Sequence, residues 1–143
     1  MRKGWGEMAR VLVADDDVVS LTLAATILEL EAHEVVTVSD GVGALRRAID
    51  ERPEAIVLGD LSPEMDALTV LRYLRHDLRT SAIPVLVVSE DASPTDVAGA
   101  INGGAQGYLV KPFRAKDFVA EIHRIMVDGV NGHRAETPRA AHR

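Results

Sequence analysis

The chain contains no cysteine, and only 3% of its 143 residues are aromatic. Disulfides and thiolate metal sites are therefore excluded, and the core must be aliphatic. Basic charge is also scarce. Sixteen Lys and Arg face 22 Asp and Glu, a formal net charge of −6. A chain of that sign repels phosphate backbones, so no nucleic-acid partner is expected. No apolar run approaches the ~20 residues of a membrane span. The opening MRKGWGEMAR (1–10) is basic but has no apolar signal core. No membrane partner is expected, and the expected location is cytoplasmic.

What is present fits one soluble globular domain, with 47% hydrophobic and 27% charged residues. A chain of this length buries roughly two-thirds of its unfolded surface. Short apolar runs alternate with stretches of helical periodicity. RVLVA (10–14), HEVVTVS (33–39), EAIVLG (54–59), IPVLVVS (83–89) and GYLV (107–110) predict strands. VVSLTLAATILEL (18–30) predicts a helix with Val18, Leu21, Ala25 and Leu28 inward. DGVGALRRAIDE (40–51) predicts the second helix. Residues 66–78 predict the third, with Leu71, Leu74 and Leu78 on one face. SPTD (93–96) is a helix start in which Ser93 caps, Pro94 opens the first turn and Asp96 completes a capping box. That helix is expected to stop at Gly103–Gly104. The last helix, AKDFVAEIHRIMV (115–127), turns Phe118, Ile122 and Ile125 inward.

Strict alternation of strand and helix predicts an α/β domain, a parallel sheet covered on both faces. The expected domain is 9–127, with a short lead-in at 1–8 and a polar, flexible tail at 128–143. Function in such sheets gathers at the carboxyl ends of the strands. Those ends carry Asp15, Asp16 and Asp17, then Gly59 and Asp60, then Ser89 and Glu90, then Lys111. Clustered carboxylates repel by roughly 4 kcal/mol per pair at ~4 Å and an effective dielectric of 20. They call for cations: Lys111 supplies one, and a hard divalent ion such as Mg²⁺ suits the rest. Taken singly, each group also reads as an ordinary turn or surface residue. The signal is their joint placement.

VLVADDD (11–17), DG (40–41), PEAIVLGDLSPEMDA (53–67), IPVLVVSE (83–90) and GGAQGYLVKPF (103–113) together resemble the receiver domain of two-component response regulators. The resemblance covers about residues 9–127. It implies a flavodoxin-like, doubly wound sheet of five strands with five helices, and a single domain. It also implies an Asp at the end of the third strand that takes a phosphoryl group from a histidine kinase. By the same resemblance Asp15 and Asp16 would hold Mg²⁺, and Ser89 and Lys111 would contact the phosphoryl group. Tyr108 would change rotamer with the switch. Output would leave through the fourth helix, fifth strand and fifth helix, about residues 95–127.

The acceptor itself departs from the family's pattern, Pro-Asp-x-x-x-x-Asp-x-x-Met-Pro-x-Met-Asp-Gly. Counting six forward from Pro53 and four back from Pro63 both reach Gly59. Ser62 and Ala67 also differ from the pattern. Successive strand side chains point to opposite faces. If Gly59 faces the acidic pocket, Asp60 is therefore expected to point away, unless the chain has already turned or the strand has slipped by one residue. With one carboxylate fewer, Mg²⁺ binding is expected to be weaker than in an ordinary receiver.

The resulting expectation is a stand-alone atypical receiver, an interaction module rather than an enzyme. It would signal without ordinary aspartyl phosphorylation, through a protein partner or a dimer. The alternative is an active phosphoacceptor that uses Asp60. A flavodoxin-like small-molecule binder would need a Gly-rich or hydroxyl-rich phosphate loop after the first strand and aromatics around the ring, and this chain has three acids there and few aromatics.

Overall fold

The computed structural model describes residues 8–135. Five strands, β1 (Arg10–Ala14), β2 (Glu34–Val38), β3 (Ala55–Leu58), β4 (Val85–Ser89) and β5 (Gly107–Val110), alternate with five helices. The helices are α1 (Val18–Leu30), α2 (Gly41–Glu51), α3 (Ala67–His76), α4 (Pro94–Asn102) and α5 (Ala115–Ala135). A single 3-10 turn, Pro63–Met65, precedes α3. The strands form one parallel sheet in the order β2-β1-β3-β4-β5. This is the doubly wound α/β architecture that the alternation predicts.

The three central strands are apolar on both sides because both faces are covered. Leu12, Ile56, Leu58 and Val87 pack with α2 and α3 residues such as Ala44, Val70 and Leu71. Val11, Val13, Val57 and Val88 pack on the other side with Leu28, Phe118, Ile122 and Ile125. At 25 cal/mol per Å², full burial of each such aliphatic side chain stabilises the fold by about 1.5–3 kcal/mol.

Helix starts follow local chemistry. Asp17, Asp40, Asp66 and Ser93 each accept a backbone N–H of the first turn, as good capping residues do. The expected capping box at Ser93 forms only in half. Ser93 Oγ accepts from Asp96 N at 3.2 Å, but Ser93 N donates to Asp91 Oδ1 at 2.8 Å instead of to Asp96.

Other expectations need correction. Val18 is 70% exposed, and α1 turns Ala24, Ile27 and Leu28 inward. Its even apolarity gave no single face to choose. Helix α3 ends at His76, so Leu78 falls in the following turn and is 95% exposed. Helix α5 continues beyond residue 127 to Ala135, across a break at Gly129 (φ 66°, ψ −174°). Glycine adopts that positive φ without a Cβ penalty. Most of the lead-in and residues 136–143 of the tail lie outside the described residues.

Candidate functional site

The parallel register aligns the strand ends. Ala14 pairs with Leu58, Leu58 with Val87, and Ser89 with Val110. Asp15, Gly59, Ser89 and Lys111 therefore emerge at one edge. Asp15 is 4% exposed. Its Oδ1 accepts from Asp17 N at 2.9 Å, and its Oδ2 accepts from Lys111 Nζ at 2.8 Å. Asp16 is exposed.

Asp60 does not point away. Its Oδ1 accepts from Ser89 Oγ at 2.9 Å, and its Oδ2 accepts from Lys111 Nζ at 3.1 Å. The backbone explains this. Gly59 N donates to Ala14 O at 2.7 Å, as the β1–β3 ladder requires. Continuing that ladder would bring Asp16 N to the carbonyl of Gly59. It donates instead to Asp60 O at 2.9 Å, so one residue has been added beyond β3. Such a bulge breaks the alternation of side chains. Gly59 and Asp60 consequently both face the acidic edge, and the register of β3 does not slip.

Gly59 is tightly enclosed. A Cβ built there would fall on Asp15 Oδ2 and lie 2.6 Å from Asp15 Cγ. The buried Asp15 carboxylate fills the space that a side chain at residue 59 would need.

Lys111 is the hub of the site. Its side chain is 11% exposed and contacts both carboxylates. Burial pulls its ammonium down, but the hydrogen bonds and charges of Asp15 and Asp60 outweigh it, and the pKa stands above the ordinary lysine value. Tyr108 donates its hydroxyl to Asp91 O at 2.7 Å, and burial raises its pKa. Asp60, Asp66, Ser89, Asp96 and Tyr108 line a cavity of about 190 Å³ toward α4. Next to it the Asp91 and Asp96 carboxyls share a hydrogen bond that lowers the first and raises the second.

Each residue singled out in the sequence thus lies at this edge, with Asp15, Asp60, Ser89 and Lys111 joined by hydrogen bonds. Asp91 was not anticipated. Its one signal was position, an acid two residues before a capping serine. Arg75 and the buried Gln106 were also missed. Arg75 donates to Gly104 O, Ser81 O and Gln106 Oε1, and that Gln106 oxygen also accepts from Val85 N at 2.8 Å. This network ties α3 to the amino ends of β4 and β5. Burial lowers Arg75 to about 10.

The donor set for a metal is small. Among the described residues no three His, Asp or Glu side chains are grouped to hold an ion. Asp15 and Asp16 remain as a pair of carboxylates, the number that Mg²⁺ commonly takes from a protein beside water and phosphate oxygens.

A parallel doubly wound sheet with acids, a hydroxyl and a lysine at its carboxyl edge is the arrangement that the receiver resemblance implies. The response regulator receiver domain family matches residues 11–123, and the chain belongs to that family, which acts in two-component signalling. Over 117 residues it is 39% identical to the transcriptional regulatory protein PrrA of Mycobacterium tuberculosis, covering 82% of this chain and 49% of PrrA. It is 32% identical over 119 residues to the DNA-binding dual master transcriptional regulator RpaA of Synechocystis, covering 83% and 49%. The chain spans about half the length of these curated relatives. The structure of chemotaxis response regulator CheY4 of Vibrio cholerae superposes with a TM-score of 0.77 at 28% identity, covering 83% of this chain and 99% of that one. Receiver domains typically bind Mg²⁺ at their acidic site and are generally not enzymes. No helix among the described residues is long and apolar enough to cross a membrane.

Proposed function

We propose that this chain is a receiver module that signals by protein contact, without ordinary aspartyl phosphorylation. One observation carries the reading: the Asp60 carboxylate already bonds Ser89 and Lys111. In the receiver family those two groups would meet a phosphoryl oxygen. Gly59 offers no acceptor, and Asp15 fills the space beside it. The Asp60 carboxylate then acts as a built-in anion that joins the loops after β3, β4 and β5. A domain of residues 9–127, a cytoplasmic location and a non-enzymatic role accompany this reading.

The partner surface is residues 95–127, from α4 through β5 to α5. A histidine kinase or a second copy of the chain would be met as a protein. The net charge of −6 disfavours nucleic acid as a partner of these residues. Asp15 and Asp16 would hold Mg²⁺, which would supply positive charge against the carboxylates. Its binding is weakened because Lys111 already neutralises Asp15.

A second reading has its own support. Asp60 is 39% exposed and flanked by a lysine and a hydroxyl, so it is an accessible nucleophile. Intact mass after incubation with Mg²⁺ and acetyl phosphate separates the two. The first reading expects no phosphoryl adduct on the parent. An adduct that disappears in Asp60→Asn would establish the second and end the first.

A further inference from the structure

On the α1 and α5 side of the sheet lies a larger cavity of about 510 Å³. We propose that it binds a small amphipathic organic cation, a primary amine carried on a compact apolar body. The volume falls in the ~300–1,000 Å³ range of small-molecule sites, which are apolar with a few convergent polar groups. Val13, Val57 and Val88 line it from three neighbouring strands, and Leu23 and Ala24 from α1. Phe113 and Phe118 line it as well, with ring centroids 5.1 Å apart. Two of the chain's few aromatics thus stand at one small cavity. Ala24 leaves open a space that a longer side chain would fill.

Charge selects the occupant. The polar lining is Asp15, Glu90, Lys111 and Ser20. Lys111 is already shared between Asp15 and Asp60. Glu90 is exposed and pairs with no cation among the described residues. Two carboxylates, Asp15 and Glu90, therefore face the cavity beside one ammonium that Asp60 also draws on, and the excess charge attracts a cation and repels an anion. The aromatic rings suit both an apolar body and an adjoining ammonium. An amine near Asp15 would compete with Lys111, so occupancy would be felt at Asp60 and Ser89. The proposal stands whether or not Asp60 accepts a phosphoryl group.

The test uses the full chain and three probes with one body: naphthylethylamine, naphthylethanol and naphthylacetate, each titrated at neutral pH while backbone amides are followed by NMR. The expected result is saturable shifts at Leu23, Ala24, Val88 and Phe113 with the amine, at a Kd of about 1 mM or tighter. The amine should bind roughly fivefold or more tightly than the alcohol. Glu90→Gln, a change at an exposed residue, should bring the amine's affinity down toward that of the alcohol. Ala24→Met should fill the cavity and abolish binding of both. If that variant does not fold, the Glu90→Gln comparison decides alone. Shifts that fail to saturate, or that map away from these residues, overturn the proposal. So does tightest binding by the acetate, or an amine affinity unchanged by Glu90→Gln. A cavity that admits only a side chain from a docked protein would titrate with none of the three, and that too overturns it.

Discussion

The side-chain space of residue 59 belongs to Asp15: a Cβ on Gly59 would lie 2.6 Å from Asp15 Cγ and 3.0 Å from its Cβ. Asp15 cannot yield freely, because Lys111 and the Asp17 amide hold its two oxygens. Gly59→Ala is therefore expected to destabilise the fold by about 1–3 kcal/mol, the usual cost of overpacking. Urea unfolding measures it. A neutral substitution would show that Asp15 moves aside without cost.

Gly59→Asp adds a carboxylate to the space that Asp15 already fills. Its stability without divalent ions should fall below that of Gly59→Ala, since like charges are added to the same crowding. Millimolar Mg²⁺ should then raise the melting temperature of Gly59→Asp by several degrees and that of the parent by less. Equal Mg²⁺ responses would contradict the weakened site.

Lys111→Met leaves Asp15 buried without its cation, and Asp60 without one of its two side-chain partners. Breaking such a pair costs about 3–5 kcal/mol when fully buried. With Asp60 39% exposed, about 2–4 kcal/mol is expected here. The sign of the pH dependence follows from the raised pKa of Lys111. Its contribution is fully present below the unfolded value of 10.5 and is lost as pH rises through the higher folded value. Denaturation across pH 9–12 (roughly the alkaline limb) should show this loss in the parent and not in Lys111→Met.

Asp60→Ala removes the acceptor of the Ser89 hydroxyl and one of the two carboxylates on Lys111. Because Asp60 is part-exposed, the cost should be only about 0.5–1.5 kcal/mol. The informative readout is local. Amide shifts should concentrate at Ser89, Glu90 and Lys111, the residues Asp60 joins. Shifts confined to the β3–α3 loop would remove Asp60 as a connecting anion.

Arg75→Ala should cost about 2–3 kcal/mol, because the Gly104 and Ser81 carbonyls and one Gln106 contact lose a charged donor. Faster amide exchange at Val85, whose N–H rests on Gln106, is the accompanying sign. Unchanged exchange there would separate Arg75 from the β4 anchor.

The strands were legible because both-face burial demands continuous apolar runs, and RVLVA, AIVL and VLVVS are such runs. The caps were legible because Asp and Ser act on the very next turn. Helix faces were less so. In α1 the valines and leucines surround the axis, so periodicity could not tell Val18, outside, from Ile27, inside. Leu78 shows the same limit: its spacing matched a helix that had already ended.

For the site, sequence by itself determined which chemical groups reach the carboxyl edge: Asp15, Asp16, Ser89 and Lys111 are each placed by the last residue of a strand, and strand ends are local events. It also determined that residue 59 has no side chain. Which way Asp60 points was decided only in three dimensions. Alternation predicts outward, but the bond from Asp16 N to Asp60 O adds a residue after β3 and turns it inward. That bond joins positions far apart in the chain, and no local pattern encodes it. The same holds for the cavity beside Ala24, whose walls come from segments far apart in the chain and exist only once the sheet and helices have packed.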